Sequence, residues 1–165
     1  RGSGSAWLES LVSRFQEVAD RWVAWDATSS LGLPVIVVDL VLDDLPLVFR
    51  GSGCHTSPAV AASRALTEAA QSRLTYISGA REDVSFERPR WREVPADRFR
   101  APPPERSFSD LPDLASATVA GDLRTVLERL AVKGREAFAV PLRRPEIDLP
   151  VWFAFVPGLR EARHV

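Results

Sequence analysis

The feature that most constrains this chain is a Gly-x-Gly step followed directly by a long, alanine-rich helical pattern. An apolar run leads into residues 51–53 (Gly-Ser-Gly), which we expect to form a turn. Ser57 suits a helix N-cap, and Pro58 suits the first helical position because its missing N–H costs nothing there. Residues 59–77 have high helix propensity, and Gly79 predicts the end of the helix.

This predicted helix has two contrasting faces. An apolar stripe is expected to be buried, and its alanines would let a neighbouring backbone approach closely; it comprises Ala62, Leu66, Ala69, Ala70, Leu74 and Ile77. A polar face carries Arg64, Glu68, Gln71, Ser72 and Thr75. Taken alone, such a face favours solvent exposure, with an i,i+4 pair of Arg64 and Glu68 worth a few tenths of a kcal/mol.

Composition is that of an ordinary globular domain. The chain has 165 residues, 45% apolar and 26% charged, with a net charge of −1, so no electrostatic attraction to nucleic acid or to an anionic membrane is expected. The single cysteine, Cys54, excludes an internal disulfide framework and fits a reducing cytosol. No apolar run is long enough to span a bilayer. We therefore expect a cytoplasmic protein that binds neither nucleic acid nor membrane.

The periodicity along the chain predicts an α+β domain. Helix–strand–strand occurs twice, and two such units would build a mixed sheet with helices packed on it. Residues 1–6 resemble a linker or a cloning remnant, and 87–113 form a Pro- and Arg-rich loop that we interpret as solvated. The predicted elements are a helix at 7–19, strands at 21–28, 33–42 and 47–49, the central helix, a helix at 122–132, and strands at 138–142 and 151–156.

Other chemistries find little support in the sequence. Cys54 and His55 are too few ligands for zinc, which needs three or four. A Cys–His nucleophile pair is disfavoured because adjacent side chains on an extended segment point apart. Neither GxxxxGK[ST] nor GxGxxG, the common phosphate-binding loops, is present.

The ordered run over residues 51–83 resembles the YcaO family. That family has a Gly-x-Gly step, then a helix with R-A-L-x-E-A-x-Q-x-R, then Gly-x-Arg before two acidic residues. The resemblance spans nearly the whole chain but only the later half of the family's domain, so 7–165 is expected to be the C-terminal half of a larger YcaO-like domain. The matching segments are GSG (51–53), RALTEAAQSR (64–73), GARED (79–83), DATS (26–29), GLPV (32–35), FSDLP (108–112) and PGL (157–159).

The resemblance implies ATP-dependent phosphorylation of peptide backbone amides during maturation of a ribosomally made peptide, with Mg²⁺ as cofactor and an azoline or a thioamide as product. It implies that Glu68 binds the metal and that Gln71 donates a hydrogen bond to the nucleotide. It further implies that Arg81 binds phosphate and that Asp83 supports the metal, although Glu82 stands where the family more often has aspartate. It assigns no residue of this chain to the catalytic step itself.

Several interpretations stay open at this point. The family's nucleotide site also draws on motifs from its earlier half, so the chain is expected to be a fragment, a split subunit or a degenerate homologue. It would be an enzyme completed by an N-terminal half, a non-catalytic module binding a precursor peptide or a partner protein, or a scaffold in which Glu68 pairs with Arg81. A peptide-recognition or TfuA-like protein is a further implied partner. Unpaired strand edges and apolar surface also predict a dimer.

Overall fold

A computed structural model of the chain describes residues 5–19, 21–41, 48–79, 106–142, 146 and 149–159. The chain divides into two units, Arg1–Ala115 and Ser116–Val165. The first unit contains α1 (Ala6–Val18), β1 (Arg21–Asp26), β2 (Val35–Val41), β3 (Val48–Cys54), α2 (Pro58–Ser78) and a 3₁₀ turn (Phe108–Asp110). The second contains α3 (Val119–Val132), β4 (Phe138–Pro141) and β5 (Trp152–Phe155).

The first unit is built on an antiparallel sheet whose strands lie in the order β1-β2-β3. Alternation along the central strand β2 directs Ile36, Val38 and Leu40 to the face that packs against the helices. Helix α1 adds Leu8 and Phe15 to this core, as its amphipathic pattern predicts. The core thus lies between one face of the sheet and two helices.

The α+β class and the order of the elements are confirmed, but the expected mixed sheet is not observed. In the described residues, β1, β2 and β3 pair antiparallel, and so do β4 and β5. Consecutive strands here are neighbours in space, and each connection reverses the chain direction. A parallel pair would have needed a crossover of a dozen or more residues. The two helix–strand–strand runs therefore contribute to a three-stranded and a two-stranded sheet.

The Gly-x-Gly step is not a turn, as the sequence led us to expect, but part of β3. Gly51 and Gly53 are both buried in that strand and face α2. A Cβ atom on Gly51 would collide with the carbonyl oxygen of Ala65 and the amide nitrogen of Ala69, and one on Gly53 with the carbonyl oxygen of Ala61. Glycine is required here because the backbones of strand and helix approach too closely for any side chain.

The bounds of α2 agree with the prediction, and Gly79 ends the helix in the left-handed conformation, with φ 60°. Its buried face differs from the predicted stripe. Leu74 and Ile77 are 64% and 58% exposed, because the face that meets β3 continues through Ala69 to Tyr76, whose ring packs against Phe49 at 5.8 Å. The buried residues of the helix are Pro58, Ala61, Ala62, Ala65, Leu66 and Ala69.

An ion pair between a buried aspartate and an exposed arginine ties the three strands together on the sheet face away from the helices. Asp39 on β2 is 3% exposed. Arg50 on β3 donates to both of its oxygens, through Nε at 2.7 Å and Nη2 at 2.9 Å, and Trp25 on β1 donates through Nε1 at 3.1 Å. This hydrogen bonding raises the pKa of Arg50 above its ordinary value. The buried carboxylate is satisfied by both neighbouring strands.

The second unit has little buried surface in the described residues. Thr118 caps α3, its hydroxyl accepting from the amide of Gly121 at 3.1 Å, and Phe138 stacks on Phe155 across the β4–β5 hairpin at 5.4 Å. Both strands are exposed along their length. Within the described residues, no helix of either unit is long and apolar enough to cross a membrane.

The contact between α2 and β3 predicts that Gly53→Ala and Gly51→Ala unfold the first unit at lower temperature. A new Cβ would have to displace helix backbone, which does not yield as a flexible side chain does, so we expect a loss of about 3 kcal/mol. Thermal and urea melts measure it. Ser52→Ala, between the two on the same strand, is the control and should cost under about 1 kcal/mol. Equal melting temperatures for all three variants would contradict the packing.

Candidate functional site

The polar face of α2 lies along the outer edge of β3. In the described sheet β3 pairs only with β2, so alternate backbone groups of this strand point away from the sheet. The Ser52 amide donates to Glu68 Oε2 at 2.9 Å, and the Ser72 hydroxyl donates to the Arg50 carbonyl at 3.2 Å. Side chains of the helix thus satisfy edge groups that an unprotected strand would offer to another chain.

Glu68 is exposed, and its two oxygens differ in their surroundings. Oε2 accepts from both the amide and the hydroxyl of Ser52, the hydroxyl at 3.3 Å. Oε1 accepts no hydrogen bond from the residues that the structure describes. The expected i,i+4 pair with Arg64 is not formed; within the described ranges, the partner of this carboxylate is Ser52. Sequence periodicity identified the face but could not reveal a partner that comes from another element.

The remaining predicted site residues are only partly described. Gln71 is exposed on α2, three residues after Glu68 and therefore on the same side of the helix. Arg81 and Asp83 lie outside the described residues, and so does any pairing of Glu68 with Arg81. The structure thus places Glu68 and Gln71 on one helix face. Ser52, which sequence reasoning did not single out for the site, is hydrogen-bonded to Glu68.

The Cys54–His55 step has no nucleophilic arrangement. Partial burial raises the pKa of the Cys54 thiol, and the charge of Arg64 offsets only part of that effect. His55 Nδ1 accepts from the amide of Ser57 at 3.0 Å. This nitrogen is therefore engaged with the start of α2, as a local cap of the backbone.

The described residues fit a shared magnesium site better than a complete one. No group of three or more His, Cys, Asp or Glu side chains occurs in the described part of the chain. Magnesium is commonly bound by one or two carboxylates together with substrate phosphates and water. An exposed carboxylate with one oxygen unengaged by described residues fits such a site, in which Glu68 would be one ligand among several.

A second polar cluster joins the segment after residue 105 to the end of β1. Arg106 Nη1 donates to Asp26 Oδ2 at 2.5 Å, and its Nη2 donates to the Asp110 carbonyl at 3.1 Å. The other oxygen of Asp26 accepts from the amide of Thr28 at 2.9 Å. Leu111, 8% exposed, then enters the core. The DATS and FSDLP segments, far apart in sequence, therefore meet through Arg106, which no motif had indicated.

This cluster should make the stability of the first unit depend on acidity. Partial burial raises the pKa of Asp26, but hydrogen bonds from Thr28 and Arg106 outweigh it and hold the pKa below its ordinary value. The folded state thus gains stability above the unfolded pKa of about 3.9 and loses it as the pH falls through the lower folded value. The gain is under about 1 kcal/mol because the pair is partly exposed.

Urea melts between pH 7 and pH 2.5 measure this dependence. Asp26→Asn should flatten the decline of the free energy of unfolding below about pH 4 relative to the parent protein. Glu9→Gln, which removes an exposed carboxylate from α1, is the matched control. An acid limb of unchanged slope in Asp26→Asn would contradict the assigned role of this carboxylate.

Residues 3–160 match the family described as YcaO cyclodehydratase, ATP- and Mg²⁺-binding. Because the match covers nearly all of the 165 residues, the chain belongs to the YcaO family.

Relatives from three organisms cover almost the whole chain. It is 32% identical to an uncharacterised protein of Methanothermobacter thermautotrophicus, over 96% of this chain and 44% of that protein. It is 29% identical to an uncharacterised protein in the tfuA 3′ region of Rhizobium leguminosarum bv. trifolii, over 94% and 40%, and 37% identical to one of Mycobacterium tuberculosis, over 96% and 37%. The chain thus spans less than half the length of these relatives.

Solved structures share the fold. A heterocyclase in complex with substrate and cofactor superposes with a TM-score of 0.72 at 22% identity, over 94% of this chain and 22% of that one. The heterocyclase TruD gives 0.64 at 26%, with the same coverage. YcaO from Methanopyrus kandleri bound with AMPPCP and Mg²⁺ gives 0.69 at 21%, over 92% of this chain and 42% of that one.

Proposed function

We propose that this chain is the later part of an ATP-dependent enzyme that activates peptide backbone amides during maturation of a ribosomally made peptide in the cytoplasm. Membership of a family described as ATP- and Mg²⁺-binding supports the reaction class. The observation that carries the proposal to this chain is the carboxylate of Glu68, exposed on α2, with Oε1 unengaged by the described residues.

The proposed reaction has two stages. A nucleophile adds to the carbonyl carbon of the amide, and the resulting oxyanion takes the terminal phosphoryl group of ATP, releasing ADP. The oxygen then leaves as inorganic phosphate with loss of a proton, from the amide nitrogen when a C=N bond forms and from sulfur when a C=S bond forms. A side-chain hydroxyl or thiol as nucleophile gives an azoline, and an external sulfide gives a thioamide.

The residues proposed for this reaction bind and orient the metal and the nucleotide. Bound Mg²⁺ would neutralise phosphate charge as the phosphoryl group is transferred. Glu68, with Asp83, would hold the metal, and Gln71 would donate a hydrogen bond to the nucleotide. Arg81 would bind a phosphate through two parallel hydrogen bonds, the arrangement that guanidinium geometry favours.

A second candidate has an observation in its favour. Glu68 already has a structural partner, Ser52, at the edge of β3. A scaffold or a peptide-binding module without catalysis would need only that contact. The two candidates differ in whether the negative charge of Glu68 is needed or only its ability to accept a hydrogen bond.

Glu68→Gln separates them, because the amide oxygen can still accept from Ser52 while the charge is lost. In the assembled enzyme we expect turnover to fall by roughly 10²-fold, equal to about 2.7 kcal/mol, with a change in stability under about 1 kcal/mol. ADP release and thermal melts on the same preparation measure both. Glu68→Ala, which also removes the acceptor, should lower the melting temperature further. Full activity in Glu68→Gln would rule out the metal role.

We further propose that the chain works with an N-terminal YcaO half, in the same or a separate polypeptide, and with a precursor peptide. The second unit exposes many large apolar side chains, which supports a partner of this kind, since exposed apolar surface marks interaction sites. A TfuA-like protein is a further candidate, supported by the relative from the tfuA 3′ region. The exposed residues of the hairpin include Phe138, Val140, Val151, Trp152, Phe153 and Phe155.

The purified chain alone should show no ADP release with peptide and should self-associate, as the predicted dimer or larger. Co-expression with the earlier half of a YcaO domain should give a stable complex that hydrolyses ATP. Light scattering and an ADP assay measure these outcomes. Phe153→Ser on the hairpin should weaken the complex, whereas Ser13→Ala on the exposed side of α1 should not. A monodisperse monomer that turns over ATP by itself would overturn the proposal.

A further inference from the structure

Both donors of Ser52 are directed at one oxygen of Glu68. The amide nitrogen lies 2.9 Å and the hydroxyl oxygen 3.3 Å from Oε2, whereas Oε1 accepts nothing from the described residues. We propose that Ser52 is a positioning residue, which holds the Glu68 carboxylate by Oε2 so that Oε1 is presented to the magnesium ion of the nucleotide. The inference rests on the proposed function and names a residue for it on a second element.

The position of Ser52 relative to α2 is fixed by its neighbours. Gly51 and Gly53 bring the β3 backbone against the helix so closely that neither could carry a Cβ. On the other side, β2 holds the register of the strand, with Val37 opposite Ser52. The Ser52 amide is thus held at a set place beside the helix and can fix a long side chain that would otherwise sample several rotamers.

Hydrogen bonds from a backbone amide to a carboxylate are charge-assisted and stronger than those between neutral groups. A glutamate held in this way has already lost rotamer freedom before a cation arrives, so less freedom is lost on binding. Partners of metal ligands that act in this way change metal affinity by about 10- to 100-fold when they are removed. We therefore expect the loss of the Ser52 donors to lower metal affinity more clearly than it lowers the free energy of unfolding.

Two variants remove the hydrogen-bond donors of Ser52, the first one donor and the second both. Ser52→Ala deletes the hydroxyl and keeps the amide. Ser52→Pro deletes both, and proline is tolerated on an edge strand where the lost N–H points away from the ladder. Ser72→Ala is the matched control, because the Ser72 hydroxyl also joins α2 to β3 but donates to the Arg50 carbonyl and not to Glu68.

The experiment measures binding of Mn²⁺ with a non-hydrolysable ATP analogue to the chain assembled with its N-terminal half, by electron paramagnetic resonance, with thermal melts alongside. We expect about 3-fold weaker Mn²⁺ binding for Ser52→Ala, about 10-fold or more for Ser52→Pro, and less than 2-fold change for Ser72→Ala. If Ser52→Pro does not fold, the Mn²⁺ affinity of Ser52→Ala compared with that of Ser72→Ala tests the inference.

Three results would overturn the inference in distinguishable ways. Parent-like Mn²⁺ affinity in the Ser52 variants, with binding lost in Glu68→Gln, would remove the role of Ser52 and leave the proposed function intact. Parent-like affinity in Glu68→Gln would remove the metal role of Glu68 and the inference with it. Equal weakening in Ser52→Ala and Ser72→Ala would show a general loosening of the helix on the strand, which also rejects positioning.

Discussion

The close approach of α2 to β3 is the constraint on which the rest of the first unit depends. Two glycines in the strand face small residues of the helix, so the two backbones touch where side chains normally intervene. Ala61, Ala65 and Ala69 are completely buried there. Protein interiors are packed at the density of organic crystals, so this contact has no space for a single added methyl group. The helix is therefore fixed in distance and in rotation.

The fixed rotation of α2 determines which groups the side chains of its polar face can reach. With Ala65 and Ala69 against the strand, Glu68 and Ser72 emerge beside its outer edge and reach the backbone groups of Ser52 and Arg50. The same hydrogen bonds protect an edge strand and orient a carboxylate. The packing of small residues and the placement of the Glu68 side chain beside β3 thus have one physical cause.

Much of this arrangement could be predicted from the sequence, and what could not be predicted follows a pattern. Local signals located α2, because Pro58 and Gly79 act through their own backbone preferences. The Gly-x-Gly step was misread as a turn because a glycine needed for close approach looks the same in sequence as one needed for positive φ. The contacts of Asp26 with Arg106, and of Glu68 with Ser52, join distant segments, and periodicity within one element carries no information about them.

Two other carboxylates in the described part of the first unit, Asp39 and Asp26, differ from Glu68 in how their oxygens are bonded. Asp39 uses both oxygens on Arg50 and Trp25, and Asp26 uses both on Arg106 and Thr28. Each is satisfied by groups of its own unit and stabilises the fold. Glu68 is held through one oxygen, by groups whose position depends on the glycine contact. Within the described residues, Oε1 of Glu68 accepts no hydrogen bond. A carboxylate fixed through one oxygen in this way can bind a cation through the other.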